Sequence, residues 1–421
     1  MFKRIRIRFT ITLRGRNVTR RSWIGSALAT PAAAPQPRVS DARRKNICCV
    51  VTEYRYNSHA DVLCGRLLAG YSPNGVWEPA RNRVVSFYTD QVPANDMSRD
   101  LAARNGFQLY PSIRDSLTLG GNSLAVDGVV FVCEHGNYPS NQLGQKLYPR
   151  FELFSQILAV YEQSGRSVPT FFDKHLSYSW DKADAMYKRS KRIGFPFMAG
   201  SSIPFTGRNP PIDPPLGTPI TEAVAIGYGD IDAYGFHTLE ALQCLVERRK
   251  GGETGIASVE WIENDAIWAW RDGERGTWSK PLLEEALRHQ PNYANQSMEA
   301  LADRPVLFVL NYADGTKGAV LMLSRTSGGW SVALRIQGQE RLLATSMSLA
   351  TARPLPNWDG LVRCIDLFLT TGHPLAPVER TLLVTGALSF CFQSKGVGKV
   401  LETPQLNVQY QGPVKSWFQT A

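Results

Sequence analysis

The chain has 421 residues, 43% of them hydrophobic and 20% charged, and a formal net charge of +10. This composition is typical of a globular protein long enough for two domains with well-filled cores. Nine positive charges and no acidic residue lie in residues 1–38, so the remainder of the chain is near neutral, which argues against binding to DNA or RNA.

The basic N-terminal segment, residues 1–44, predicts an export signal followed by a linker. The stretch TRRSWIGSALATPAAA (Thr19–Ala34) combines the paired Arg20 and Arg21 with a short apolar run and an Ala-rich end. This pattern resembles a twin-arginine export signal, and its apolar run is shorter than the roughly 20 residues of a membrane span. We therefore expect a periplasmic protein with no integral membrane span. A disordered basic tail on a cytoplasmic protein is the alternative.

Residues 45–206 alternate strand-like and helix-like runs. The apolar runs predict strands over Asn46–Val51, Arg83–Asp90, Val126–His135, Val168–His175 and Phe195–Ser202. Runs with helical spacing and cap residues predict helices over Ser58–Tyr71, Asn95–Gly106, Leu147–Gly165 and from about Ser179 to Arg192. Near-continuous apolar strands separated by helices predict a Rossmann-like, doubly wound parallel sheet, an α/β domain covered on both faces.

A Pro/Gly-rich stretch, Gly207–Gly217, predicts a domain boundary. Residues 207–421 then predict an α+β domain with a large, mainly antiparallel sheet, in which Asp314–Gly315 forms a hairpin turn. The predicted strands and hairpins are Gly255–Ile262, Pro305–Ser324 and Trp330–Leu349, and the predicted helices lie near Asp359–Thr371 and Glu379–Ser394.

The seven cysteines are scattered and form no CxxC motif. Three of them, Cys48, Cys49 and Cys133, lie inside apolar strand-like runs. The pattern predicts buried thiols that pack as small hydrophobic groups, with neither a zinc site nor a disulfide framework.

Polar residues follow two of the predicted strands at their carboxyl ends, where an open parallel sheet binds its ligands. Asp173, Lys174 and His175 follow one apolar run, and Asp90 ends another. A carboxylate in the position of Asp90 can accept both hydroxyls of a ribose, although an acid at a strand end is often a solvated turn residue. The turn after the first strand, Thr52–Ala60, lacks glycine, so this turn alone does not predict a dinucleotide site.

Four segments in order resemble the Gfo/Idh/MocA (glucose-fructose oxidoreductase, inositol dehydrogenase, MocA) family. DKHL (Asp173–Leu176), followed by a helix, a Gly and a strand, resembles its Glu-Lys-Pro-Leu element, with His175 in place of the proline. VDGVVFVCEH (Val126–His135) resembles the strand that meets the nicotinamide, and YGFHTLEAL (Tyr234–Leu242) resembles the Gly-x-His-x-x-Asp segment. Leu369–Leu388 resembles the C-terminal ending. The resemblance extends over roughly residues 45–410.

The resemblance implies NAD or NADP as cofactor, a sugar, polyol or glycoside as substrate, and a homo-oligomer that associates through strands of Trp330–Met347. It implies Lys174 and His237 as catalytic and substrate-binding residues, with Asp173 and Glu240 supporting them; Glu240 would orient His237. The other implied site residues are Arg208 for the substrate and Thr52, Tyr54, Asn57, Asp90, Glu134 and His135 for the cofactor.

The sequence departs from the family where the cofactor would bind. Thr52, Tyr54 and Asn57 replace the glycine fingerprint, and Arg55 and Tyr56 would crowd a pyrophosphate. Two further differences are Ala233, where the family often has Asp, and the inserted Gly136–Arg150.

Two functions therefore stay open: an NAD(P)-dependent oxidoreductase, and a catalytically silent relative that binds a carbohydrate or serves as a scaffold. Lys174 and His237 each have two interpretations, one for each of these functions. Lys174 is either an acid/base group or an ion-pair partner of Asp173 or Glu134. His237 is either a base or a satisfied core histidine at a domain junction.

Overall fold

The computed structural model describes residues 44–325, 328–350 and 352–420. The predicted leader with Arg20 and Arg21 lies outside these residues, so export stays a prediction. Within the described residues, no helix is both long and apolar enough to cross a membrane.

The first sheet is parallel throughout and has six strands in the order β3-β2-β1-β4-β5-β6. Its strands are β1 (Asn46–Val51), β2 (Arg83–Thr89), β3 (Gln108–Leu109), β4 (Gly128–Val132), β5 (Thr170–Asp173) and β6 (Phe197–Gly200). The helices around it are α1 (His59–Ala69), α2 (Ser98–Asn105), α3 (Ile113–Thr118), α4 (Arg150–Ser164) and α5 (Trp180–Ile193). This confirms the predicted Rossmann-like, doubly wound sheet.

The second sheet has eight strands in the order β14-β9-β10-β11-β8-β12-β13-β7, and only its β8–β11 pair is parallel among the described pairs. Its strands are β7 (Arg208–Asn209), β8 (Ile220–Gly227), β9 (Ile256–Glu263), β10 (Val306–Tyr312), β11 (Lys317–Met322), β12 (Gly329–Ile336), β13 (Leu343–Ser348) and β14 (Leu401–Glu402). The remaining helices are α6 (Ile231–Val246), α7 (Ala266–Asp272), α8 (Lys280–Arg288), α9 (Asn357–Thr371) and α10 (Val378–Val397). The mainly antiparallel sheet is confirmed.

Both faces of the second sheet are covered by helices of the same chain. On one face, α6 and α10 pack in the large core that also contains Trp330 and Phe308. On the other, α8 packs through Leu282, Leu283 and Leu287. The strands of Trp330–Met347, through which association was expected, thus lie in a sheet with helices of the same chain on both faces, and the predicted homo-oligomer stays a prediction.

Helix α9 follows β13 of the second sheet in the chain but packs on the first sheet. Leu361, Ile365 and Phe368 share a core with Ile47 and Cys49 of β1. All seven cysteines are buried free thiols, as predicted.

Candidate functional site

A cavity of about 480 Å³ lies where the carboxyl ends of β4 and β5 meet the start of α6 and the edge of the second sheet. This is the edge of a parallel sheet at which ligands bind. Four of the six histidines of the chain gather at or beside it, namely His59, His135, His175 and His237. The structure thus brings Lys174, His237 and Glu134, predicted from distant segments, together on one wall.

Lys174 directly follows β5 and has a left-handed backbone with φ of 72°. Its side chain is 3% exposed, and its Nζ lies 2.6 Å from His237 Nε2 and 3.7 Å from Glu134 Oε1. The contact with His237 fits the predicted acid/base role of Lys174, and the contact with Glu134 fits its predicted role as an ion-pair partner. The structure shows both contacts.

His237 enters the cavity from α6 and is held at its other nitrogen by Ser201, whose Oγ lies 2.6 Å from Nδ1. Burial, with the charge of Lys174 beside it, holds the pKa of His237 well below its ordinary value, so the imidazole is neutral at pH 7. The neutral ring then accepts a hydrogen bond from Lys174 at Nε2 and donates one to Ser201 from Nδ1.

Glu240 does not orient His237 as predicted, because its carboxylate is turned toward α10. It accepts a hydrogen bond of 2.9 Å from Thr381 Oγ1, and Arg380 lies 4.0 Å away. Burial raises the pKa of Glu240 to about 7. The orienting contact comes instead from Ser201, which follows β6 and which the sequence pattern did not single out.

Glu134 follows β4, and its carboxylate pairs with two basic side chains, Lys174 and Arg150. Arg150, at the start of α4, is fully buried and donates to Glu134 Oε2 at 2.5 Å and to His175 Nε2 at 2.7 Å. Burial opposes ionisation of Glu134, but the charges of Lys174 and Arg150 outweigh it and hold its pKa below its ordinary value. A buried carboxylate is thus kept negative beside the cavity.

His59 was not predicted, although it stands in the first turn of α1. Its Nδ1 lies 2.7 Å from Asp173 Oδ2, and its ring packs edge-on against Trp358 of α9, with ring centroids 4.7 Å apart. The rings of His59 and His237 are inclined by 19°, with centroids 6.5 Å apart. Asp173 therefore supports His59, whereas the resemblance implied that it supports Lys174 and His237.

The residues expected to bind a cofactor are engaged by the chain itself. Thr52 Oγ1 donates to the carbonyl groups of Glu134 and His135, and Tyr54 is buried in the core against Phe87. His135 lines the cavity, and burial, with His59 nearby, lowers its pKa to about 4.

Two further expected cofactor residues, Asn57 and Asp90, also have partners. Asn57 Oδ1 accepts a hydrogen bond of 2.9 Å from Arg353. Asp90 accepts hydrogen bonds from the hydroxyl groups of Tyr88 and Tyr138, at 2.9 and 2.6 Å.

Arg208, expected to bind substrate, does not line the cavity. Its guanidinium is buried, donates to the carbonyl of Ile212 and stacks 4.2 Å from the ring centroid of Phe418. These contacts hold the beginning of the second sheet against the C-terminal segment, so the structure separates Arg208 from Lys174 and His237.

No protein-family model and no curated protein sequence matches the chain. Solved structures match nearly its whole length. GenD2 from gentamicin A biosynthesis, in complex with NAD, is 12% identical with a TM-score of 0.55, and the match covers 88% of this chain and 99% of that chain. The myo-inositol 2-dehydrogenase from Lactobacillus plantarum is 10% identical with a TM-score of 0.51, covering 86% and 99%.

A third match is the super-repressor mutant of Gal80p from Saccharomyces cerevisiae, 10% identical with a TM-score of 0.52, covering 87% of this chain and 100% of that chain. Likeness at such identities concerns the fold, which can carry different functions. The order of strands, the two sheets and these neighbours agree, and the chain has the fold of the Gfo/Idh/MocA-type NAD-binding oxidoreductases.

Proposed function

We propose that the protein binds a sugar, a polyol or a glycoside in the cavity and that Lys174 and His237 exchange a proton with one of its hydroxyl groups. The observation that carries this proposal is the 2.6 Å contact between Lys174 Nζ and His237 Nε2 on the cavity wall. An ammonium and a neutral imidazole in contact provide a proton donor and a proton acceptor at one place, which is what acid/base catalysis at a hydroxyl requires.

The other walls of the cavity suit a polyhydroxylated ligand. Tyr234, Trp330 and Trp358 line it and offer apolar ring surface to the C–H groups of a sugar. Asp232 also lines it, is buried, and has an Oδ1 without a hydrogen-bond partner in the described part of the chain. Burial raises the pKa of Asp232 to about 6. The volume lies within the range of roughly 300–1,000 Å³ that small-molecule sites occupy.

Calorimetric titration with D-glucose, D-fructose, D-xylose, D-mannose and myo-inositol tests the proposal. We expect binding of at least one of them, with an affinity that falls about tenfold or more in Lys174→Met. The matched control is Lys188→Met, because Lys188 is exposed on α5, where it pairs with Asp184 away from the cavity. Binding of none of the five compounds would count against the proposal, as would equal affinities of the two variants.

An NAD(P)-dependent oxidoreductase is the second candidate function. The likeness to NAD-binding structures supports it, because those proteins share the fold. In the described arrangement, however, the residues do not fit a dinucleotide: Asp90 is engaged by Tyr138, and Asp61 in the first turn of α1 is engaged by Arg353. Titration with NAD⁺ and NADP⁺ separates the two candidates, since only the second requires a dinucleotide to bind.

A further inference from the structure

His59 lies across the carboxyl-terminal edge of the first sheet, along which a dinucleotide would bind. It belongs to α1, which comes after β1, and it contacts Asp173 at the end of β5. In the strand order, β4 lies between β1 and β5, so this contact spans the carboxyl end of β4. A dinucleotide in a doubly wound sheet runs from the N-terminus of the first helix across these strand ends. The imidazole of His59 lies on that path.

The N-terminus of α1 already holds an anion of its own chain. Ser58 caps the helix by accepting a hydrogen bond from the backbone N–H of Asp61, and the Asp61 carboxylate accepts one from the backbone N–H of Asn57. Arg353 pairs with Asp61 and stacks 4.6 Å from the ring centroid of Tyr56. A pyrophosphate here would meet a carboxylate where the dinucleotide fold normally presents free N–H groups and glycine.

The ribose position at the end of β2 is also taken. The inserted segment after β4 places the hydroxyl of Tyr138 on Asp90 Oδ2, while Tyr88 donates to Oδ1. Gln91 fixes the same segment through the backbone of Asn137. Each oxygen of the Asp90 carboxylate therefore accepts a hydrogen bond from a tyrosine hydroxyl. The two tyrosines occupy the positions that the two hydroxyls of a ribose would take.

We infer that His59, positioned by Asp173, takes the place of the dinucleotide and serves as a second proton-transfer group, so that the cavity catalyses a redox-neutral proton transfer on a sugar. This inference rests on the proposed sugar-binding function. Asp173 binds Nδ1 of His59, and within the described ranges no group hydrogen-bonds its Nε2, which leaves that nitrogen for a ligand in the cavity. His237 also lines the cavity, with its ring centroid 6.5 Å from that of His59.

The reaction balances without an oxidant. In a sugar with a carbonyl group, the C–H bond next to the carbonyl breaks and its proton passes to His59 Nε2. The electron pair of that bond forms the carbon–carbon double bond of an enediol, while the carbonyl oxygen takes a proton from the Lys174 ammonium. His59 then returns a proton to the former carbonyl carbon, while the neighbouring hydroxyl gives its proton to Lys174 and becomes the new carbonyl, which yields the isomeric sugar. No electrons leave the sugar.

Deuterium uptake tests the reaction. The full chain, with no nucleotide added, is incubated in D₂O with D-glucose, D-fructose, D-xylose or D-mannose, and ¹H NMR follows loss of the proton next to the carbonyl. We expect exchange in at least one sugar, reduced on the order of 10²-fold in His59→Gln. Asp173→Asn, which changes a positioning residue, should lower kcat while KM stays unchanged. His373→Gln, in an exposed loop, should keep the wild-type rate.

A dinucleotide-binding measurement tests, independently of any sugar, whether His59 takes the place of the dinucleotide. Calorimetric titration of the wild type with NAD⁺ and NADP⁺ should show no binding up to millimolar concentration. Stoichiometric binding of either would overturn the inference, and so would exchange that needs added NAD⁺. A sugar that binds without exchanging its proton also overturns it but leaves the proposed binding function intact, whereas failure of every sugar to bind removes both.

Discussion

Single residues at the site were predictable where they lie at the end of a buried strand or, as with His237, where a segment resembles a family motif. Asp173, Lys174 and Glu134 follow buried strands, and the sequence therefore places them at one edge of the sheet. Their partners come from elsewhere in the chain. His59 lies 114 positions from Asp173, and Arg150, the partner of Glu134, starts a helix whose sequence contains no motif that indicates a functional site. Such pairs depend on how distant segments pack, which local patterns do not encode.

Lys174 sets the protonation of His237, and a substitution measures this directly. Lys174→Met keeps the length of the side chain and removes the charge next to Nε2. Because that charge adds to burial in holding down the pKa of His237, we expect the pKa to rise toward its ordinary value while remaining below it. An NMR titration of the imidazole signals checks this, with Lys188→Met as control. An unchanged titration curve would show that the charge of Lys174 does not lower the pKa of His237.

At the scale of elements, strands and helices with a strong pattern were predicted well. The strand Asn46–Val51 is confirmed residue for residue as β1, and the predicted helix Glu379–Ser394 corresponds to α10, Val378–Val397. Helix α8 was missed, although Leu282, Leu283 and Leu287 have helical spacing. It is short, and only its packing on the second sheet makes it stable, which is a tertiary effect.

Helix α10 packs closely through Gly386, which predicts a sharp response to one methyl group. A Cβ at this position would lie 2.7 Å from Trp180 Cε3 and would also overlap Leu406. Although alanine favours a helix over glycine, the overlap forces side chains apart, and Gly386→Ala should lower the free energy of unfolding by about 1–3 kcal/mol. Urea denaturation of the wild type and Gly386→Ala measures this difference in the free energy of unfolding. The exposed Gln393→Ala on the same helix should change stability by less than about 0.5 kcal/mol.

The inserted segment after β4 docks at the end of β2 through a charged hydrogen bond from Tyr138 to Asp90, in addition to the contacts of Gln91 with Asn137. Tyr138→Phe removes the hydroxyl that donates to Asp90 and leaves Tyr88 as the remaining phenol partner. Since the site is half-buried, we expect a loss of about 1–2 kcal/mol in urea denaturation. Tyr110→Phe is the control, because the Tyr110 hydroxyl has no hydrogen bond to the rest of the described chain. Equal stability of wild type and Tyr138→Phe would contradict the docking role.

At the scale of the whole molecule, the two sheets and their order in the chain followed from the sequence, but the packing between distant parts did not. Helix α9 crosses back to the first sheet, where Asp366 accepts hydrogen bonds from Tyr71 and Asn82. Helix α8 covers the sheet face that had been expected to mediate association. The predicted homo-oligomer stays a prediction, and light scattering at micromolar concentration measures whether one forms.

The pH dependence of stability provides a whole-molecule prediction because Glu240 lies where β6, α6 and α10 meet. Burial raises its pKa to about 7 in the folded protein, above the ordinary value of 4.5. Between these two values the folded state binds more protons than the unfolded state, so the free energy of unfolding should fall as pH rises through that window. The loss should be about 3 kcal/mol, since the two values differ by about 2.5 and one pKa unit corresponds to about 1.4 kcal/mol.

Glu240→Gln removes this titration, so its stability should lack that decrease and should exceed the stability of the wild type above pH 7. Urea denaturation at pH 5 and pH 8 measures the change in each protein, and subtracting one change from the other removes contributions from groups that titrate in both, such as Asp232. Glu340→Gln, at an exposed position, should follow the wild type. Equal changes in the wild type and Glu240→Gln would mean that the pairing of Glu240 with Arg380 and Thr381 keeps it ionised throughout, and that the junction of the two sheets holds a permanent ion pair.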